Sequence, residues 1–411
     1  MEEALARNFS VWDKSMVQLR PSFSLEDIYG KGIIYNPKLY DTDYSHFSQD
    51  LVSLEVLTGR EFCVMGETPI ICHAATAAPE TISLLEAGGV NVPPIRYIYS
   101  NDDEYKRLLD NLKKQNKKLI FQYPHPSKDI SKEISWIEPE LHAYLCDKRN
   151  IPKLVPEGHF PKRRTISLEQ ILNEKPELPF VLKTGDGRAT SGGFGVLLVN
   201  DKKQLQKVDD TFGDLSQLII EEFIEYDQNI SVHYVADQYG EIHFLGMSEQ
   251  IVSNEGNFRG SWISTDIEDK FAEIVSVGYK VMENIAKKGY VGFAGFDVLI
   301  KGDQFYFIDL NVRFNASTCG LLLMEDIQNK LGKDVVRLCN FEWTNDFNGL
   351  IRVLKKYVSN QQIIPLSLLN SNQFQQGKLV EKAIGLVAGH SIDEVESILS
   401  EMSSEGLIVK E

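Results

Sequence analysis

Two apolar segments, GFAGFDVLI and QFYFIDLNVR, face each other across Lys301-Gly302-Asp303, and this pairing limits the fold more than any other feature of the chain. Strand-like runs on both sides of a Gly-containing turn read as an antiparallel hairpin. Asp309 and Asn311 lie two apart, so their side chains emerge on one face. With a three-residue turn over Lys301–Asp303, Asp297 falls opposite Phe307, on the face of Asp309 and diagonal to it. Three oxygen-bearing side chains then converge, a hard donor set suited to Mg²⁺. Like charges this close repel, and a cation between them resolves the conflict. Arg313 continues the same face and can aim its guanidinium at a phosphate or an oxyanion. The competing reading is a solvated hairpin whose polar residues alternate outward.

Upstream, the strand LPFVLK ends on Lys183 and runs into TGDGRATSGG, with Gly185, Gly187, Gly192 and Gly193, before the strand FGVLLVN. Glycines allow backbone N–H groups to approach phosphate oxygens closely, Thr184, Thr190 and Ser191 add hydroxyls, and such a loop can close over a triphosphate. Neither a P-loop nor a dinucleotide fingerprint is present. A plain flexible hairpin loop fits the same residues. Next, LIIEEFIEYDQNISV is an apolar strand breaking into a charged connection; Glu221 can accept from an adenine amino group while the backbone at Phe223 and Ile224 meets the ring edge. An edge strand with exposed acids is the plainer alternative.

The rest of the chain frames these pieces. Residues 1–140 alternate short apolar runs with helical segments: Phe62–Met65 reads as one short strand, and YKRLLDNLKKQNKK leading into Lys118–Tyr123 as an α/β unit. Proline-spaced Ile151–Pro161 reads as a connection. Beyond Leu178 the pattern is strongly β, including ISVHYVAD and EIHFLGMS joined at Gln238–Gly240. A helix spans about 267–288, with Gly289 at its C-cap, and Ser391 with Glu394 marks a capping box in the tail. Together they predict an α+β centre behind an α/β front.

Taken in this order, these elements resemble the ATP-grasp superfamily over roughly 141–345. Finer similarity, in LNVRFNAST, Met247–Gln250 and a capped C-terminal helix, is to carboxylate–amine ligases of the pheganomycin peptide-ligase type. The resemblance implies an ATP-grasp fold with a pre-ATP-grasp α/β domain at 1–140, a lid subdomain at 141–215, a catalytic subdomain at 216–345 and a small C-terminal extension at 346–411. It implies ATP held by Lys148, Lys183, Ser191, Gly192, Gly193, Glu221, Phe223, Ile224 and Asn229, and two Mg²⁺ ions held by Asp297, Asp309 and Asn311. Asp309 stands where the superfamily more often has Glu, and Asn229 where it usually has an acid that takes the ribose. Arg313 and Lys183 would be catalytic. Arg259, Arg313, Asn315, Ser317 and Thr318 would hold the substrate, with a solvated loop arginine the plainer reading of Arg259. The implied reaction is ADP-forming condensation of a small carboxylate with an amine, both from amino acids or a peptide; a small-molecule kinase and a non-catalytic nucleotide-binding module are the alternatives. His233 and Cys319 read as packing residues.

Composition agrees with this setting. The net charge of -16 argues against nucleic-acid or anionic-membrane partners. Five cysteines without a C-x-x-C pair point to a reducing compartment. The acidic N-terminal stretch is unlike a signal peptide, and no apolar run reaches a membrane span, so the expected location is the cytosol. Self-association is left open.

Overall fold

The computed structural model describes residues 17–39, 51–125, 130–174, 176–185, 195–213, 215, 217–253, 256–264, 271–374 and 380–410. Within them the chain forms three sheets. The first is parallel and four-stranded, built from β1 (Ile33–Asn36), β2 (Ile70–His73), β3 (Arg96–Tyr99) and β4 (Lys118–Phe121) in the order β3-β2-β1-β4. Phe62–Met65, expected as a strand, instead closes a 3-10 helix over Val52–Val64. Phe62, Cys63, Val64 and Met65 are all buried, so the run owes its apolar character to burial on every side and not to pairing.

The second sheet is antiparallel, in the order β5-β8-β6-β7, from β5 (Arg163–Ile166), β6 (Phe180–Thr184), β7 (Val196–Val199) and β8 (Leu218–Glu222). Alternation divides its residues. Phe180, Leu182, Leu218 and Ile220 pack with Ile171, Val208 and Phe212 of the covering helices, while Arg163, Lys183 and Glu221 share the opposite face. Ser191, Gly192 and Gly193 lie outside the described residues.

The third sheet has nine strands. They are β9 (Gln228–Ala236), β10 (Ile242–Val252), β11 (Phe258–Ser264), β12 (Gly292–Lys301), β13 (Gln304–Asn311), β14 (Val335–Trp343), β15 (Ile363–Leu369), β16 (Glu381–Gly389) and β17 (Ile408–Val409). The order is β13-β12-β9-β10-β11-β14-β16-β15, with β17 added to β14. One face carries Ile230, Val232, Tyr234, Phe296, Val298 and Phe307 against the helix Ala272–Ala286, through its Ile274, Val277, Val281, Met282 and Ile285. That helix matches the expected one; residues 267–270 of the expected span are outside the description.

Residues 346–411, which the sequence sets apart, place β15 and β16 in this same sheet. Its far end shares one core with the first unit: Ile33, Phe62, Ile70 and Leu84 pack in a cluster with Leu322, Leu350, Ile364, Leu386 and Val395. Ser391 caps the helix Ile392–Ser404 by accepting from Glu394 N. The Glu394 carboxylate reaches back one residue further than a capping box requires, to His390 N at 2.7 Å. Among the described residues no helix is long and apolar enough to cross a membrane.

Candidate active site

The hairpin differs from its expected register in two ways that together create the site. Lys301 pairs with Gln304, so the turn has two residues, with Gly302 at its first central position and φ of 56°. A bulge then leaves Ile308 unpaired: Val298 faces Phe307, but Asp297 faces Asp309 directly and Gly295 faces Asn311. The diagonal placement of Asp297 opposite Phe307 is therefore corrected. Without the extra residue, Asp309 and Asn311 would share a face with Phe305 and Phe307 in the core. The bulge turns both toward the opposite face and sends Leu310 into the core instead.

On that face a polar strip crosses five strands. Asp297 pairs in register with Ser231, Ser231 with Ser248, and Gln250 with Ser261. Asp297 is the centre of the contacts: Gln250 Nε2 donates to its Oδ1 at 2.5 Å and Asn311 Nδ2 to its Oδ2 at 3.1 Å. Burial, followed by the charge of Asp309, pushes the Asp297 carboxyl up to about 6. Burial also works against ionised Asp309, but Lys148 and Lys183 outweigh it and hold its carboxyl below the usual range. Two half-buried carboxylates side by side, with Lys148 and Lys183 both compensating Asp309, form a donor set that fits a divalent cation, and the amide of Asn311 adds a neutral oxygen.

The second sheet brings the positive charge. Lys183 Nζ lies 2.8 Å from Glu221 Oε2 and donates to the Ile308 carbonyl at 2.7 Å, so it touches the bulge itself. Burial, followed by the neighbouring Arg163, works against its charge and pulls its pKa well below the ordinary lysine value, although the charges of Asp309 and Asp297 favour the ammonium. Lys148, 5% exposed, reaches Asp309 Oδ2 at 2.5 Å. The Glu221 side chain is enclosed by Lys183 and Arg163. Sequence reasoning passed over Arg163 and named Gln250 only within the family-like segment Met247–Gln250, with no role. Nothing local separates Arg163 from its neighbours in PKRR; only its register opposite Glu221, with Nη1 donating to the Lys148 carbonyl at 3.1 Å, marks it.

Arg313 is buried, with Nη2 donating to Asn311 Oδ1 at 2.5 Å. Asn315 Nδ2 donates to the Arg313 carbonyl at 3.0 Å. Gly295 makes room for it: a Cβ there would sit 2.4 Å from Asn315 Nδ2. Ser317 and Thr318, expected to meet substrate, are buried and turned to protein partners, Ser317 to Ser261 Oγ at 2.8 Å and Thr318 to Asn315 N at 3.1 Å. Arg259 lies on β11 and not in a loop, at the register shift between the pairs Ile251–Gly260 and Val252–Phe258, and its buried Nε has no hydrogen-bond partner in the protein. Asn229 Oδ1 on β9 likewise has none. Phe223 and Ile224 follow β8 and are half-buried.

Two sequence-family models match successive stretches: "L-aspartate–L-methionine ligase N-terminal domain" over residues 24–143 and "L-aspartate–L-methionine ligase, ATP grasp" over residues 161–311. The chain belongs to the ATP-grasp superfamily. Both models carry the name of a carboxylate–amine ligase. Two solved structures share the fold of the ATP-grasp chain nearly end to end. N5-carboxyaminoimidazole synthetase from Staphylococcus aureus, complexed with ADP, matches with a TM-score of 0.59 at 12% identity, covering 93% of this chain and 99% of that one. The L-amino acid ligase from Bacillus licheniformis matches with a TM-score of 0.55 at 12% identity, covering 92% and 98%. Among curated sequences, the formate-dependent phosphoribosylglycinamide formyltransferase of Prochlorococcus marinus is 27% identical over 133 residues, 30% of this chain. That alignment spans 32% of the relative's length.

His233 and His142 flank this ATP-grasp centre as neutral rings. Burial pulls both down to about 3, helped at His142 by the charge of Arg313. The unfolded chain protonates them near 6.5 and the folded one only near 3, so the stability they allow is present above pH 6.5 and erodes as pH falls toward 3. Each ring contributes up to about 1.4 kcal/mol per pH unit within that window. Urea unfolding of the parent and of His233→Gln at pH 7, 6 and 5 should give a shallower loss for the variant, by about that slope. Parallel lines would refute the assignment.

Proposed function

We propose that the protein uses ATP to phosphorylate a carboxylate and transfers the acyl group to an amine, releasing ADP and phosphate. One observation supports this above all: Lys183 and Lys148, from the lid side, converge on the Asp297–Asp309–Asn311 face beside Arg313. Names of the matching families suggest L-aspartate as acid and L-methionine as amine. Arg259, with an unpartnered buried Nε on a strand of the same sheet, suits the second carboxylate of such an acid. The four units read from the sequence, 1–140, 141–215, 216–345 and 346–411, are retained in this proposal, with the last serving as an extension of the catalytic sheet.

In this reading Asp297, Asp309 and Asn311 hold Mg²⁺, which when bound offsets phosphate charge. Lys183 and Lys148 engage the phosphates, and Glu221 with Arg163 orients Lys183. Adenine falls to the backbone of Phe223 and Ile224, the ribose to Asn229, and the loop with Ser191, Gly192 and Gly193 covers the triphosphate. A substrate carboxylate oxygen attacks the γ-phosphorus and ADP leaves. The amine nitrogen then attacks the acyl carbon, phosphate departs and the nitrogen loses a proton, while Arg313 stabilises the developing oxyanion. Asn315 keeps the Arg313 turn in place.

Incubation with Mg-ATP, L-aspartate and L-methionine should yield dipeptide, ADP and phosphate in equal amounts. Hydroxylamine in place of the amine should trap a hydroxamate. Release of AMP and pyrophosphate, or a stable phosphate product that resists hydroxylamine, would rule the reading out.

A further inference from the structure

In an open parallel sheet the crevice where strand order reverses takes a ligand. Here the order β3-β2-β1-β4 reverses between β1 and β4, but the chain itself fills the place. Gln122 and Tyr123 follow β4 directly. Gln122 N donates to the Asn36 carbonyl at 3.0 Å, anchoring the turn to β1. Its side-chain Nε2 then crosses between units and donates to the Phe314 carbonyl at 3.0 Å. The Tyr123 ring lies 5.3 Å from the Arg313 guanidinium carbon. Both residues are buried, at 2% and 4% exposed. Behind them stands the buried Arg60–Glu61 pair, with Glu61 beside Gln122. The Cys319 thiol donates to the Arg60 carbonyl at 3.5 Å. The catalytic segment 313–319 is thus held by the first unit at three points: the face of Arg313, the carbonyl of Phe314 and the thiol of Cys319.

We propose that the N-terminal unit orients Arg313 for the amide-forming step through Tyr123 and Gln122, which makes these two positioning residues. The inference rests on the ligase reading given above. A free arginine side chain samples many rotamers, and each must be frozen before the guanidinium can meet a developing charge. Asn311 fixes one edge of the group. The aromatic face fixes its plane, and the Gln122 bond fixes the backbone that carries it. Neither the Tyr123 ring contact nor the Gln122 bond involves a residue assigned to the nucleotide or the cation.

The test measures dipeptide formation from L-aspartate, L-methionine and Mg-ATP for Tyr123→Phe, Tyr123→Leu and Gln122→Met, together with thermal melting. Tyr123→Leu and Gln122→Met should each lower kcat about tenfold with the KM for ATP unchanged. Tyr123→Phe, which keeps the ring, should retain the parent kcat. Equal losses in the Phe and Leu variants, parent-like kcat in Tyr123→Leu and Gln122→Met, or losses that track melting temperature would overturn the positioning role. Arg313→Lys separates the two levels. If it is inactive while Tyr123→Leu runs at the parent rate, only the positioning role falls. If Arg313→Lys itself runs at the parent rate, the ligase assignment of Arg313 falls, and this inference with it.

Discussion

Asp309→Asn is expected to reduce ATP-dependent turnover on the order of 10²–10³-fold, the loss that accompanies several kcal/mol of charge stabilisation at a metal-assisted centre. The substitution keeps the shape of the side chain and its acceptor toward Lys148, now 2.5 Å away. It removes the charge, and with it the repulsion that pushes the Asp297 carboxyl up to about 6. Losing one member of a buried ion pair destabilises, and relieving two adjacent carboxylates stabilises, so the effects oppose each other. Melting temperature should therefore shift by only a few degrees while activity collapses. A Mg²⁺ titration of the variant should require far more cation for residual turnover. Parent-like turnover in Asp309→Asn would place the cation elsewhere.

Lys183→Met should be nearly as damaging, but through the nucleotide. Methionine keeps most of the apolar stem and deletes the ammonium, so the Ile308 carbonyl loses its donor and Glu221 is left with Arg163 alone. The apparent affinity for ATP should drop about a hundredfold, with or without Mg²⁺, since a point charge directed at the phosphates is gone. Calorimetry separates the two variants. Asp309→Asn should still bind ATP like the parent in the absence of metal, and Lys183→Met should bind it about a hundredfold more weakly under either condition. Were Lys183→Met to titrate like the parent, the phosphates would lie away from the lid sheet.

Much of this architecture is legible in sequence because alternation carries it. LPFVLK and LIIEE each send one set of residues into a core and one set toward the site, and both patterns can be read by eye. The hairpin is equally plain, yet its register is not. A bulge at Ile308 leaves no compositional trace, and together with the two-residue turn it decides that Asp309 opposes Asp297. Arg163 went unnoticed, and Gln250 went without a role, for a related reason. Their importance comes from partners on other strands, Glu221 and Asp297, and pairing between distant strands is not written in local pattern. The run Phe62–Met65 misled because full burial makes an apolar stretch look like a strand. Arg259 misled in the opposite sense: its glycine- and asparagine-rich surroundings suggest a loop, whereas β11 runs through it.

The cluster that joins residues 19–92 with residues 321–407 has a consequence for how the chain is made. During synthesis Ile33, Phe62 and Ile70 emerge early, but Ile364, Leu366 and Leu386 leave the ribosome some three hundred residues later. Until then the early residues of that interior have no counterpart and face solvent, the condition under which partly built chains stick to one another. Growth temperature and translation rate should accordingly govern soluble yield more strongly than equilibrium stability does.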